Sequence, residues 1–348
     1  AELWSSSTMS FREPRALPAS SSAQRKWSHA DRCIQGTNDD ASVSKMSCVS
    51  LKYFEDAFLP LFVRRRTRRP PMINRGYFAR VQAIRQAVAA FQRGVGHGQA
   101  QILSLGAGFD TTFFRLSAAG ARPRRYVEVD HKEVTCSKCR LVQKNAALAD
   151  LIDAGEAAKG SSTIDVDGGT ILSDTYTLAP ADLRNLESVK GAMAQGGVDA
   201  AAPTLVLMEC VMAYLDAEAT RAILRHLTES LETCCILIYD MIGPDDPFGK
   251  QLILNVESRG CPLPGIRSFP TAASHAALLR ESGFTVGGIH NMLEIYERYV
   301  DPAERKRTER IEFLDELEEW HLIMAHYCLS YGFKGSLELF QSPEMPCL

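Results

Sequence analysis

The stretch Gln101-Ile-Leu-Ser-Leu-Gly-Ala-Gly-Phe-Asp-Thr-Thr112, followed by Arg125-Tyr-Val-Glu-Val-Asp130, decides the fold of this chain. It reads as a buried strand, a glycine turn, a helix and a second strand that ends in an acid. Gly106 and Gly108 allow a tight turn and a close backbone approach where a Cβ would collide, and Asp110 or Thr111 can cap the helix that opens next. Asp130, at the carboxyl end of the second strand, stands where an acid accepts both hydroxyls of a ribose.

What the turn lacks is equally informative. A dinucleotide fingerprint requires G-x-G-x-x-G so that a pyrophosphate can sit on the helix N-terminus, but the residue three past Gly108 is Thr111. With no third glycine and no basic residue in the turn, a ligand with a ribose and no phosphate is favoured. S-adenosyl-L-methionine is such a ligand; a plain structural turn is the alternative.

Working outward, Ile102 to Leu105, Arg125 to Val129, Thr175 to Leu178, Thr204 to Met208 and Cys235 to Tyr239 read as short apolar strands separated by helical stretches. Such alternation predicts an α/β fold with a parallel sheet and helices on both faces. Ligands of such sheets lie beyond the carboxyl ends of the strands, which singles out Asp130, Asp182 with Leu183, and Glu209 with Cys210. Asp182 and Leu183 read equally well as a helix cap followed by a core leucine. Glu209 interrupts an apolar run from Thr204 to Leu215, where an unpaired acid would be costly, so it is expected to have a partner.

Upstream, Asp39 or Asp40 can cap a helix running through Lys45 to about Phe54, and Phe78 to Phe91 forms a second amphipathic helix. Arg64-Arg-Arg-Thr-Arg-Arg69 between them is a charge run, either a solvated face or a docking site for an acidic protein surface. Residues 1–37 are rich in Ser, Arg and Pro without periodicity and are expected to be disordered, as a solvated tail or a transit peptide. A chain beginning at Asn38 is therefore expected to keep its stability and activity. Residues 38–340 are expected to form one domain, with a helical cap over 38–98 and a lid insertion over 243–267; 341–348 is expected to be flexible. Ile311, Leu314, Leu317, His321 and Met324 recur at helical spacing, and Leu337 to Phe340 reads as a last strand.

Composition sets the bounds. Of 348 residues 45% are hydrophobic and 23% charged, with a net charge of -3, which offers no global attraction to nucleic acid or an anionic membrane. Ten cysteines are scattered without a disulfide framework, as expected of a reducing, cytoplasmic setting. The lone Cys136-x-x-Cys139 has no second ligand pair to complete a zinc site, so no metal is expected.

Several motifs carry a resemblance in order and spacing: Ile73-Asn-Arg-Gly-Tyr-Phe-Ala-Arg80, Leu103-Ser-Leu-Gly-Ala-Gly-Phe-Asp-Thr-Thr112, Val127-Glu-Val-Asp130, Ala181-Asp-Leu-Arg184, Leu207-Met-Glu-Cys210 and His326-Tyr-Cys-Leu329. Over roughly residues 38–340 the chain resembles the eukaryotic leucine carboxyl methyltransferases. The resemblance implies a seven-stranded, Rossmann-like S-adenosylmethionine-dependent methyltransferase sheet and methylation of the C-terminal leucine carboxylate of the catalytic subunit of type 2A protein phosphatases. Residue by residue, it implies cofactor contacts from Lys45, Arg80, Gly106, Asp130, Asp182, Leu183 and Glu209. Lys45 and Arg80 supply cations for carboxylates, of cofactor or substrate, although each alone reads as an exposed helix charge. Tyr214, five residues past Glu209, is a further candidate in the catalytic set with Arg80 and Lys45, against a reading as a packed aromatic.

A carboxylate acceptor with a pKa near ~3.5 is ionised at neutral pH, so transfer needs alignment and a dry site but no general base. A monomer is expected. Two other readings are a carboxyl methyltransferase acting on a modified tRNA base and a non-catalytic binder of the phosphatase tail. The former carries a long C-terminal repeat domain, for which a chain ending at Leu348 is expected to leave no room. An intact set of cofactor residues argues against the latter.

Overall fold

The computed structural model describes residues 29–96, 98–153 and 162–335. Among the described residues nine strands form one sheet: β1 (Gln101–Leu105), β2 (Arg125–Asp130), β3 (Thr163–Asp165), β4 (Thr170–Leu172), β5 (Tyr176–Pro180), β6 (Thr204–Glu209), β7 (Cys234–Met241), β8 (Thr285–Asn291) and β9 (Tyr327–Lys334). Their order is β3-β4-β5-β2-β1-β6-β7-β9-β8. The five central strands from β5 to β7 run parallel, and β9 pairs antiparallel with both β7 and β8. All five residues of β1 are buried, as a parallel strand covered on both faces requires.

The seven-stranded set that the resemblance implies is present from β5 to β8, and the hairpin β3–β4 widens it to nine by pairing antiparallel with β5. That hairpin falls in the Gly- and Asp-rich segment, where three-residue strands leave almost no periodic signal.

Register matters most for the site. Leu105 lies opposite both Val129 of β2 and Met208 of β6, and Asp130 lies opposite Pro180 of β5. Within one or two residues of these pairs, Gly106, Asp130, Asp182 and Glu209 therefore reach the same carboxyl edge of the sheet. The chain reverses its winding direction between β1 and β6, which makes this edge the point where open α/β sheets take ligands.

Among the described residues three helices precede the sheet: His29–Ser50, Leu59–Phe62 and Pro71–Val95. The first spans His29–Ser50 rather than starting at Asp39 or Asp40, so residues 29–37, expected to be disordered, are helical; residues 1–28 lie outside the described residues. Pro70 and Pro71 set the start of the third, where a missing N–H costs nothing. Phe78, Ala79, Ala83 and Phe91 turn its apolar stripe into the larger of the cores flanking the sheet.

The insertion over 243–267 folds as two helices, Pro247–Glu257 and Pro264–Ser268, the first capped by Asp246, which accepts from the Gly249 amide at 2.7 Å. Ile253, Leu263 and Ile266 pack there against Ala213 and Met241, with Tyr214 at the margin. The helix read over Ile311 to Met324 is shorter, Leu317–Ala325. The cause lies at Glu312, which turns inward to accept from Tyr53 Oη at 3.1 Å, Asn74 Nδ2 at 2.8 Å and Arg68 Nη2 at 2.6 Å. That network outweighs continued helix, and Leu337 to Phe340 lie outside the described residues. Among the described residues no helix is long and apolar enough to cross a membrane.

Candidate functional site

The glycine turn begins the site. Gly106 and Gly108 adopt φ of 68° and 53°, the left-handed region that glycine enters without strain. A Cβ at Gly106 would collide with Val211 Cγ2, and one at Gly108 would lie 2.5 Å from Asn38 Oδ1. The Gly106 amide donates to Val129 O at 2.7 Å, which ties the turn to β2. At the helix Thr112–Ala118 that follows, Asp110 Oδ2 accepts from the Thr112 amide at 3.1 Å, while the Thr111 hydroxyl donates to Asp56 Oδ2 at 2.6 Å. Asp110, not Thr111, therefore does the capping.

Asp130 holds the turn from the next strand. Its Oδ2 accepts from the Gly108 amide and its Oδ1 from the His131 amide, both at 2.6 Å. Burial raises its pKa, against the lowering effect of those amides. The carboxylate is thereby fixed, with lone pairs left on each oxygen for further donors.

Glu209 is the electrostatic centre. Arg80 Nε at 2.5 Å and Lys45 Nζ at 2.9 Å both meet its Oε1. Burial pushes this carboxyl up, but the Arg80 and Lys45 charges outweigh it and bring it down to about 2. Arg80 is in turn held between aromatic faces, 4.6 Å from the Tyr239 centroid and 5.3 Å from that of Tyr77. Cys210, just past Glu209, sits at φ 58°, and burial pushes its thiol up to about 12, so it is no nucleophile at neutral pH.

Tyr214 closes a short 3-10 turn, Met212–Tyr214. Asp240 on β7 braces that turn, since its Oδ2 accepts from the Ala213 amide at 2.9 Å; burial pushes the Asp240 carboxyl up to about 6. The Tyr214 phenol is held well above its ordinary pKa by burial, so it remains a donor at neutral pH.

Asp182 does not cap a helix: Asn185 does, accepting from the Glu187 and Ser188 amides. Asp182 instead takes both arms of Arg184, Nε on Oδ1 and Nη2 on Oδ2, each at 2.9 Å. Leu183 is buried beside it with Val189 and Ala181. Lys45, Arg80 and Glu209 thus meet directly, Gly106, Asp130 and Asp182 follow along the same strand edge, and Tyr214 stands to one side beneath the insertion.

Sequence reasoning missed how much the first helix contributes. Asp31 Oδ1 accepts from Arg184 Nη1 at 2.7 Å, Gln35 Nε2 donates to Glu133 at 3.3 Å, and Asn38 Oδ1 accepts from the Phe109 amide at 2.8 Å, ahead of Lys45 on Glu209. Positions 31, 35, 38 and 45 fall on one stripe of a helix, a signal that was readable. Of the arginine run, Arg68 pairs with Glu312 and Arg69 with Asp40, so part of it is structural. Cys136 and Cys139 lie on one helix with thiols that burial keeps protonated. Among the described residues no group of three or more His, Cys, Asp or Glu could hold a metal.

Comparison with known proteins adds to this geometry. The family model described as leucine carboxyl methyltransferase matches residues 24–228. The leucine carboxyl methyltransferase 1 homolog of Arabidopsis thaliana is 41% identical over 88% of this chain and 91% of its own length. Leucine carboxyl methyltransferase 1 of Rattus norvegicus is 34% identical over 89% of this chain and 92% of its own. The tRNA wybutosine-synthesizing protein 4 of Homo sapiens is 36% identical over 87% of this chain, which spans 44% of that protein.

Proposed function

The chain belongs to the leucine carboxyl methyltransferase family, and from that premise we propose that it methylates the C-terminal leucine carboxylate of the catalytic subunit of type 2A protein phosphatases with S-adenosylmethionine. The observation that carries this reading is the convergence of Lys45 and Arg80 on Glu209 beside the glycine turn. An anion flanked by two cations complements the zwitterionic head of an α-amino acid: the ammonium on Glu209, the carboxylate on Arg80 or Lys45. Gly106 and Gly108 let the turn take its left-handed geometry at the edge where a nucleoside would lie, and Asp130 and Asp182 offer acceptors for a ribose and an exocyclic amine. The donor set therefore fits the cofactor.

When bound, S-adenosylmethionine supplies a methyl carbon on a positively charged sulfur. A C-terminal carboxylate is already ionised at neutral pH, so no side chain has to remove a proton, and the work of the protein is alignment and exclusion of water. Too strong a salt bridge to the acceptor would stabilise it before the transition state, which favours a neutral donor; the protonated Tyr214 phenol is our candidate. Nine cysteines are free among the described residues, which accords with action in the cytoplasm.

The likeness to the tRNA wybutosine-synthesizing protein favours a second reading, a carboxyl group on a modified tRNA base as acceptor. Labelled S-adenosylmethionine offered together with phosphatase core and the tRNA separates the two. Label in the protein fraction is expected; label confined to the RNA would replace the first reading with the second.

A further inference from the structure

Asp182 is held by a neighbour to which neither the sequence nor the family resemblance assigned a role. Arg184 presents Nε to Oδ1 and Nη2 to Oδ2 of Asp182, each at 2.9 Å, and its own amide donates to Oδ1 at 3.0 Å. A carboxylate turns about a broad, nearly two-fold torsion, so without such a fork its plane would be loosely defined. The planar guanidinium fixes that plane and leaves a lone pair on Oδ2 for another donor.

The third nitrogen of the same group reaches across to the first helix. Arg184 Nη1 donates to Asp31 Oδ1 at 2.7 Å, and Asp31 is 7% exposed. From there the helix His29–Ser50 crosses the strand ends in the order of the sheet. Asp31 faces the end of β5 and Gln35 the segment after β2, while Asn38 meets the turn after β1 and Lys45 the end of β6. Fourteen residues of helix rise about 21 Å, ample to cross the roughly 14 Å between the first and last of four adjacent strands. Arg184 is the tie at the β5 end of this crossing.

We propose that Arg184 is a positioning residue that orients the Asp182 carboxylate toward the exocyclic amine of adenine and couples base recognition to the helix His29–Ser50 through Asp31. The inference rests on the reading of the pocket as an adenosyl site. A carboxylate accepts from the amine of adenine but repels the keto oxygen of hypoxanthine, so its orientation governs discrimination between the two bases.

The test is calorimetric binding of S-adenosylhomocysteine and S-inosylhomocysteine to wild type, Arg184→Gln and Asp31→Asn, with thermal melting of each. Wild type is expected to prefer the adenine compound. In R184Q the adenine affinity should fall about tenfold, the scale of a charge-assisted hydrogen bond lost, and the preference should shrink with it while melting stays near wild type. D31N, which keeps the fork on Asp182 but takes the charge out of the tie to the helix, should move in the same direction by less. Should R184Q melt early, Arg184→Lys serves: it keeps the charge, cannot fill both oxygens, and should lose the same preference. Unchanged preference in R184Q or R184K overturns the inference and makes Arg184 a surface ion pair. Wild type that binds neither compound overturns the reading of the pocket itself, a distinct result.

Discussion

Glu209 shows how one residue can serve fold and function. An acid at the end of an apolar strand would be expensive unpaired; two cations from separate helices resolve that cost and leave a charged cluster at the ligand edge. Its folded pKa of about 2 lies below the ordinary 4.5, so its contribution to stability is complete above 4.5 and is lost as pH falls through about 2. Acid unfolding followed by circular dichroism between those limits should be less steep in Glu209→Gln, once its lower overall stability is allowed for. Equal slopes would mean that the ion pairs do not form in solution. Arg80 has a sharper test. Lysine keeps its charge but neither the planar contact with Tyr77 and Tyr239 nor the Nε geometry, so Arg80→Lys should weaken S-adenosylmethionine about tenfold or more. Normal cofactor affinity with poor single-turnover methylation would instead place Arg80 on the acceptor.

At the scale of elements, the first helix departs furthest from what the sequence led us to expect. Its stripe of Asp31, Gln35, Asn38 and Lys45 is polar because the surface it covers consists of strand-end acids and turn amides. Helix recognition by apolar periodicity fails over its first half, since the residues that enter the core, Met46 and Cys48, lie toward its end. The expectation for a chain beginning at Asn38 therefore reverses. Such a chain loses Asp31 and Gln35 and should bind S-adenosylmethionine about tenfold or more weakly, whereas one beginning at His29 keeps all four contacts. Equal cofactor affinity of the two truncations would show that residues 29–37 are dispensable. The opposite error occurred at Ile311 to Met324, where true helical spacing was overridden by Glu312 turning into a buried hydrogen-bond network.

For the whole molecule, the central strands were legible because each is a short apolar run bounded by glycine, proline or an acid, and parallel burial demands such runs. The strand-end acids were legible for the same reason, since register carries them to one edge. What could not be read is pairwise: that Asp182 faces Arg184, that Lys45 and Arg80 share one oxygen, that Asp240 braces the turn carrying Tyr214. Those contacts depend on loop backbone geometry and on how elements pack together, which no periodic pattern encodes. In the proposed function the charged cluster and glycine turn serve delivery of a methyl group to a terminal leucine carboxylate. Its most direct test is mass spectrometry of the C-terminal peptide of phosphatase core incubated with the protein and S-adenosylmethionine, with and without the terminal leucine. One methyl group on the leucine carboxyl, absent from the shortened acceptor, is predicted; equal methylation of both, or of neither while cofactor binds normally, would contradict it.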